Sequence, residues 1–524
     1  MKISRRGFIG TSMVGALAAP ALAQGTAATT LRFMPQANLT ALDPIWTTAT
    51  VTGNHAFYVF DTLYGLDMDL NPQPQMAEGH EVSSDGLTWR FRLREGLRWH
   101  DGEPVRAVDC TTSLQRFCVR DPYGRLLARV VEEWRPVDDR NFEIRLKRPF
   151  PTMLSVFGKP QNPAVIMPER LAKTDPGKQI PEVIGSGPYK FVASEFNSGS
   201  RVVYEKFEGY VPRQEPPSRA AGGKVAYFPR IEWHIISDPS TAGAALMNGE
   251  IDWWERPLVD LQPMLARNPD ITLEVLDKMG RVALARLNHL QPPFDDVHLR
   301  RAVLASVVQA DYMHAIVGDD DSAWSKMLGL WPNGTQYYAE HPDLMPQSPD
   351  KAKAMLKEAG YSGQKVVIIN PTDFPEIGPQ GLVTADTLQR IGMNVDLQES
   401  DWGTVIQRRN SREPVEKGGW SIFHTGGGAF GYSTPASSAL VQGTGAAGWF
   451  GWWKNDKAVA LTEDWLNAPD EEARKRLAAE LGRLALEEVA TIPLGQSFTK
   501  TGYRKSLTGV LPGSAPYPWN VRRA

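Results

Sequence analysis

The feature that most constrains the fold is a regular alternation of helix and strand patterns between residues 348 and 400. In "SPDKAKAMLKEAGY", Ser348 can cap a helix whose apolar residues recur every three or four positions, and Gly360 stands where that helix would end. "KVVIIN" then has the pattern of a buried strand. A second helix is stopped by Gly392, and "MNVDLQES" predicts the next strand. This order is typical of an α/β unit.

The N-terminal half shows strand patterns around one helix. "LTWRFRLREGLRWHDGEPV" alternates apolar and polar residues before a glycine turn, and "FEIRLKRPFP" alternates again. Between them Pro104 opens a predicted helix that holds both cysteines, Cys110 and Cys118. Eight helical residues separate the two by about 12 Å. A disulfide needs Cα atoms within about 7 Å, so we expect two buried free thiols.

The first residues, "MKISRRGFIGTSMVGALAAPALAQ", read as an export signal. A basic start precedes an apolar run, and small residues before Gln24 predict cleavage after Ala23. The pair Arg5-Arg6 indicates the twin-arginine type, and the alternative is an ordinary Sec signal with a coincidental arginine pair. The run is shorter than the about 20 residues of a membrane span, and no later stretch approaches that length. The predicted location is therefore the periplasm.

Length and charge set the general class. The chain of 524 residues suggests about three structural units at roughly 150 residues each. Its formal net charge is −3, with acidic and basic residues interspersed. Nothing in this balance favours nucleic acid or an anionic membrane surface as a partner.

No arrangement of residues predicts catalysis. The nine histidines form no helical pair at metal-ligand spacing, and the cysteines stand apart from them, so no metal or cofactor is expected. A Gly-x-Ser-x-Gly elbow is absent, and neither Gly-Lys pair is followed by Ser or Thr. His100-Asp101 lies in a glycine turn. For an exported chain, this pattern indicates a binding protein and not an enzyme.

Six segments, taken in order along the chain, carry a resemblance to one family. They are "LREGLRWHDGEPVRAVDCTTSLQRF", "IGSGPYKF", "ISDPSTAGAALMNGEIDWW", "LNHLQPPFDDVHLRRAVLASV", "AKAMLKEAGY" and "QRIGMNVDLQESDW". Together they resemble the extracellular solute-binding proteins of ABC importers, family 5, the peptide, dipeptide and nickel-binding type. The turns within them need glycine and proline backbone geometry, so we interpret them as scaffold.

The resemblance implies the two-lobed periplasmic-binding-protein fold of class II, in its large form with an extra subdomain and two hinge strands. The implied ranges are 1–23 for the signal peptide, 31–75, 185–285 and 493–524 for lobe I, 76–184 for the extra subdomain and 286–492 for lobe II. A small solute or short peptide would be buried between closing lobes and passed to ABC permease subunits in the membrane. The resemblance also implies a monomer. An exported hydrolase or a chaperone-like peptide binder on the same scaffold are the alternatives.

The glycine-rich stretch Gly418–Leu440 departs from the peptide-binding members of this family. Those members carry an aspartate here that pairs with the free amino group of the peptide. With Pro435 placed at their proline, Thr434 and Gly431 stand where acidic residues would be, and the stretch has no carboxylate. The ligand is then expected to lack a free α-ammonium, as a modified or cyclic peptide, an oligosaccharide, or an aromatic or amide-rich metabolite would. The alternative is that another acid, such as Asp401, supplies the charge.

The resemblance and the aromatic content of the chain lead to a set of candidate ligand contacts. His424 lies among them, but a lone histidine after a strand is more often structural. The candidate residues are Trp46, Thr47, Trp254, Asn288, Trp402, Thr425, Phe430 and Tyr432.

Overall fold

The computed structural model describes residues 29–524. The predicted signal peptide, with its cleavage after Ala23, lies outside these residues. In the described part of the chain, no helix combines the length and the apolar character that crossing a bilayer requires.

A seven-stranded mixed sheet forms the first lobe, here called lobe I. Its central strand Thr30–Met34 runs parallel to both of its neighbours, Arg230–His234 and Trp253–Trp254. Phe33 packs with ring centroids 5.5 Å from Trp233 and 5.3 Å from Trp253, which ties three strands into one core. In spatial order the strands are Tyr189–Phe191, Arg201–Lys206, Arg230–His234, Thr30–Met34, Trp253–Trp254, Thr501–Arg504 and Ile271–Glu274.

A four-stranded antiparallel sheet and four helices, two of them short, form the extra subdomain. The helix predicted to open at Pro104 begins at Ala107, because the Asp109 carboxylate accepts the backbone N–H of Arg106 at 2.7 Å and fixes the helix start there. Cys110 and Cys118 lie on this helix as buried free thiols, as predicted. The strands, in spatial order, are Ala77–Val82, Thr88–Leu93, Asn141–Leu146 and Val131–Pro136.

A six-stranded sheet forms the second lobe, lobe II, and confirms the predicted alternation. The Ser348 hydroxyl caps the first helix, and Gly392 ends the second with φ of 102°, a conformation that favours glycine. The strands, in spatial order, are Trp324–Ser325, Ile492–Ser497, Arg281–Leu287, Ile422–Gly428, Lys365–Pro371 and Asn394–Ser400.

The chain crosses between the two large sheets twice, at residues 275–280 and 498–500. Strands Arg281–Leu287 and Ile492–Ser497 pair with each other inside the lobe II sheet. By sheet membership, the two crossings therefore lie about five residues outside the boundaries expected at 285/286 and 492/493.

The remaining elements connect and cover these sheets. Three two-stranded ribbons pair Asp61–Thr62 with Val165–Ile166, Tyr64–Leu66 with Pro72–Pro74, and Leu507–Thr508 with Arg522–Arg523. The α-helices are Thr50–Val59, Ala107–Arg120, Pro122–Val130, Met153–Phe157, Glu169–Ala172, Pro239–Asn248, Gln262–Ala266, Val297–Ser306, Gln309–Val317, Pro349–Glu358, Gly378–Ile391, Trp402–Arg408, Asp456–Leu466 and Glu471–Glu487.

The lobes are closed on one another. The extra subdomain reaches lobe II through an ion pair between Arg129 and Glu463 at 2.9 Å, and Arg125 Nη1 donates to the Ala447 carbonyl at 2.6 Å. Closer to the crossings, Arg256 of lobe I pairs with Glu376 of lobe II at 2.5 Å. The lobes are thus in contact both at the extra subdomain and near the crossings.

Candidate ligand-binding cleft

Three cavities lie between the lobes and share Thr48 as a lining residue. The arginine compartment, of about 190 Å³, is lined by Trp46, Thr48, Arg120, Arg409, Arg412 and Trp449 among others. The glycine compartment, of about 70 Å³, is lined by residues that include Thr48, Asn54, Gln161, Thr425, Gly427 and Tyr432. The hinge compartment, of about 30 Å³, has among its lining residues Thr48, Arg281, Glu376, Trp402, Arg409 and Thr425.

Thr48 is held by the rigid loop that precedes helix Thr50–Val59. The buried Asp43 carboxylate pairs with Arg116 at 2.7 Å and accepts the backbone N–H groups of Ile45 and Ile180, each at 3.0 Å. Because this carboxylate is paired and hydrogen-bonded on several sides, it fixes the loop to the extra subdomain. The loop therefore presents Thr48 to all three compartments from a preorganised backbone.

The glycines of strand Ile422–Gly428 permit close approach on two sides. A Cβ at Gly426 would collide with the backbone carbonyl of Val282 on the neighbouring strand. Across the cleft, the side-chain amide of Gln161 packs against the glycines, and a Cβ at Gly431 would collide with its oxygen. A neutral amide from the extra subdomain thus occupies the space next to the position where peptide-binding relatives were expected to carry an aspartate.

Arg409 dominates the electrostatics of the arginine compartment. Its side chain is 2% exposed and lies over the Phe450 ring, with Cζ 4.5 Å from the ring centroid. Nη2 donates a long hydrogen bond of 3.4 Å to Thr48 Oγ1, and Nε has no partner among the described residues. Burial lowers the pKa of Arg409 to about 10, so the group is still a cation at neutral pH.

The hinge compartment contains a neutralised charge cluster. Glu376 accepts from Arg256 at 2.5 Å and from Arg281 at 3.3 Å. Glu255, next to Arg256, accepts from the Gln36 backbone at 2.8 Å and from the Asn54 side chain at 3.0 Å. Of these contacts, the Arg256–Glu376 ion pair joins lobe I to lobe II, and the hydrogen bonds of Glu255 stay within lobe I.

Five of the eight candidate residues line the compartments. Trp46 and Thr47 line the arginine compartment, and Trp402 lines the hinge compartment. Thr425 is shared by the glycine and hinge compartments, and Tyr432 lines the glycine compartment. Burial raises the pKa of Tyr432, so its hydroxyl is a neutral hydrogen-bonding group.

The other three candidates do not line these compartments. Adjacent strand residues face opposite sides of a sheet, and Trp254 packs in a lobe I cluster with Met34 while Trp253 faces the other way. Asn288 is fully buried, and its amide donates to the Trp420 carbonyl at 2.9 Å, which is a structural role. Phe430 is half-buried outside the three compartments.

Two further expectations concern polar groups near the glycine-rich strand. Nε2 of His424 lies 2.7 Å from the Thr384 hydroxyl, and burial lowers its pKa to about 3, so the ring is a neutral structural group. Asp401 caps helix Trp402–Arg408, where its carboxylate accepts the Thr404 backbone N–H at 3.0 Å. That carboxylate is exposed and turned to the helix start, so it does not supply a charge to the compartments.

Sequence reasoning missed Thr48, Gln161, Arg409 and Trp449. Arg409 stands in "QRRN", where consecutive arginines near a helix end look like a solvated surface. Gln161 lies in a loop of the extra subdomain about 270 residues from the glycines that it contacts. No local sequence pattern predicts such a contact, because the residues meet only when the lobes close.

The family of this chain is shown by comparison with known protein families. The model of the bacterial extracellular solute-binding proteins, family 5, matches residues 71–449. The chain belongs to this family, and its two-lobed α/β fold is that of the periplasmic binding proteins. It acts as the substrate-binding component of an ABC importer.

Similar proteins agree with this assignment. The chain is 37% identical, over the full length of both proteins, to a probable peptide ABC transporter periplasmic-binding protein of Sinorhizobium fredii. It is 27% identical to a glutathione-binding protein of Pectobacterium atrosepticum, covering 81% of this chain and 79% of that one. The binding protein DppA of Helicobacter pylori, solved with a peptide, superposes with a TM-score of 0.80 at 19% identity, covering 96% of this chain and 99% of the other.

Proposed function

We propose that this protein captures a peptide-like or other small organic solute in the three compartments around Thr48 and delivers it, unchanged, to its permease. The observation that carries the proposal is that three cavities with a common lining residue, Thr48, lie between two lobes in contact. The protein would act in the periplasm as a monomer, after removal of a signal peptide at Ala23. Lobe I, together with its extra subdomain, and lobe II would move as two units during closure.

The proposed contacts combine predicted residues and residues that the fold adds. Each lines at least one compartment, and together they offer aromatic faces, hydroxyls and an amide, as ligand sites of this kind require. They are Trp46, Thr47, Thr48, Gln161, Trp402, Arg409, Thr425, Tyr432 and Trp449.

The neutral glycine wall supports a ligand without a free α-ammonium at that place. Gln161 stands beside Gly431, and an amide does not provide the counter-charge that a buried ammonium needs. Relatives are named for peptides and for glutathione, which supports a peptide-like solute. N-blocked or cyclic peptides combine both requirements.

The test is a ligand search that does not assume an identity. Protein purified from its native periplasm would be analysed by native mass spectrometry, and the released molecule would be titrated back while tryptophan fluorescence is followed. We expect saturable one-to-one binding and recovery of the molecule unchanged. Chemical conversion of the bound molecule, or the lack of any saturable ligand, would contradict the proposal.

A matched pair of variants locates the binding. Thr48→Tyr fills the point where the compartments meet and should reduce affinity at least about tenfold, a loss of about 1.4 kcal/mol. Thr508→Tyr places the same ring at an exposed position that lines none of the three compartments, so it should leave affinity unchanged. Equal affinity of the two variants would place the ligand elsewhere.

A further inference from the structure

Arg409 is a buried cation without a counter-charge. Its guanidinium is nearly inaccessible, makes one long hydrogen bond to Thr48, and leaves Nε without a partner in the part of the chain that the structure describes. A buried charge without a partner is unfavourable, and proteins usually avoid it by pairing. Arg409 lines both the arginine and the hinge compartments, so a ligand in either one lies beside its side chain.

Arg286, a buried neighbour, shows what a structural arginine looks like in the same lobe. It also has no carboxylate partner, but Nε and Nη2 donate to the Phe450 carbonyl at 3.0 and 2.9 Å, and Nη1 donates to the carbonyls of Leu440 and Ala490. Its donors are thus used by the backbone. Arg286 lines none of the three compartments, whereas Arg409, with fewer partners, lines two.

The other charged groups around the arginine compartment leave it positive. Arg120, Arg125 and Arg412 each donate to a backbone carbonyl at its edge, at 2.9, 2.6 and 2.7 Å, and none of these bonds is to a carboxylate. Asp121 is the one carboxylate among its described lining residues, and Lys159 neutralises it through a buried ion pair. No free negative charge among these residues balances the arginines.

The geometry points to a ligand group of stated chemistry. We propose that Arg409 binds a carboxylate of the solute, which makes the solute a small organic anion; this rests on the proposed function of the same cleft. Phe450 covers one face of the guanidinium, so the donors that remain lie in its plane, where a carboxylate accepts two parallel hydrogen bonds.

The rest of the solute extends past Thr48 into the glycine compartment. That compartment is lined by uncharged groups such as Gln161, Thr425 and Tyr432, and by Lys159, whose charge is taken by Asp121. An anionic end in the arginine compartment and an uncharged polar body against the glycines fit this division. The order of the two compartments thus sets the orientation of the ligand.

The first test compares two probes that differ by one charge, N-acetyl-L-phenylalanine and its amide. Each would be titrated into ligand-stripped protein by calorimetry. We expect the wild-type protein to bind the acid at least about tenfold more tightly than the amide, and Arg409→Gln to lose that preference. Arg390→Gln, at an exposed arginine that pairs with Asp386, is the matched control and should keep it.

The second test needs no ligand. Removing an uncompensated buried charge should leave the thermal midpoint of the stripped protein unchanged or raise it, so Arg409→Met should not be destabilised. Arg286→Met should have a clearly lower midpoint, because three carbonyls lose their donors. A midpoint for Arg409→Met as low as that of Arg286→Met would assign Arg409 a structural role and overturn the proposal.

Further outcomes separate this inference from the function on which it rests. Equal binding of acid and amide by the wild-type protein, or binding of neither, overturns the carboxylate site. The carboxylate site is also overturned if the native solute is neutral or cationic and binds Arg409→Gln as tightly as the wild-type protein. The proposed binding function would not be affected by that result. Failure of every molecule to bind in the cleft would instead remove the proposed function itself.

Discussion

Arg256 and Arg409 are both buried in the cleft between the lobes, but their surroundings differ in charge. Arg256 shares Glu376 with Arg281, and its positive charge is balanced by a carboxylate from the opposite lobe. Arg409 lies on an aromatic ring, with a threonine hydroxyl as its polar partner. The charge of Arg256 is therefore balanced without a ligand, whereas the charge of Arg409 is not.

This difference in charge pairing separates the contact that holds the lobes together from the group that recognises the ligand. A paired charge across the lobes favours the closed arrangement whatever is bound, because breaking it would leave charges without partners. An unpaired charge in the same cleft gains most when a ligand supplies the opposite sign. We therefore propose that the Arg256–Glu376 pair holds the lobes together and that Arg409 selects the solute.

The largest effect is expected from removing the shared carboxylate. Glu376→Gln removes the carboxylate that pairs with both Arg256 and Arg281 and leaves Arg256 only its 3.7 Å contact with Glu255, so we expect a loss of about 3–5 kcal/mol in the free energy of unfolding. Urea denaturation followed by circular dichroism measures it. Glu399→Gln, at an exposed strand position, is the control. A loss no greater than that of the control would contradict the closure role of the hinge compartment.

A smaller effect is expected where Gln161 meets the glycines. Gly431→Ala brings a methyl group onto the Gln161 amide and should cost about 1–3 kcal/mol of stability, measured by urea denaturation. Adding Gln161→Ala should restore most of it. Gly426→Ala, whose methyl group meets the Val282 backbone, is the comparison that Gln161→Ala should not rescue. Equal behaviour of the two pairs would argue against the Gln161 contact.

Lowering the pH should reduce the free energy of unfolding through His424, which lies on strand Ile422–Gly428. Its pKa is about 3 in the folded protein and about 6.5 when unfolded, so the unfolded chain binds the extra proton between these values. Stability from this group is complete above pH 6.5 and falls by about 1.4 kcal/mol per unit as pH falls toward 3. In His424→Gln, the loss of unfolding free energy between pH 6 and pH 5 should be about 1.4 kcal/mol smaller than in the wild-type protein. The same pH dependence in both proteins would contradict this prediction.

The smallest effect is expected at the rim. Arg129 and Glu463 are both about 40% exposed, and such pairs contribute less than about 1 kcal/mol. Arg129→Ala should therefore change the free energy of unfolding by less than that, and less again in 1 M salt. A loss comparable to that of Glu376→Gln would show that the rim, and not the hinge compartment, holds the lobes closed.

The predicted elements that were confirmed depend on local signals. The caps at Ser348 and Gly392 and the strand patterns beside them appear in the structure because each is decided within a few residues. The helix expected from Pro104 begins at Ala107, since a side-chain cap, and not the proline, fixes its start. The sequence makes Trp254 a candidate ligand contact, but the pleat of strand Trp253–Trp254 turns its side chain into the lobe I core.

The sequence by itself determined the α/β architecture, the family and the absence of a carboxylate in the glycine-rich stretch, because these are properties of periodicity, motif order and composition. Only the tertiary structure decided that Gln161 fills the space beside Gly431, that Thr48 joins three compartments, and that Arg409 is buried without a counter-charge. Each depends on residues far apart in the chain that meet when the lobes close. Burial, which gives an unpaired charge its significance, is a property of that closed arrangement.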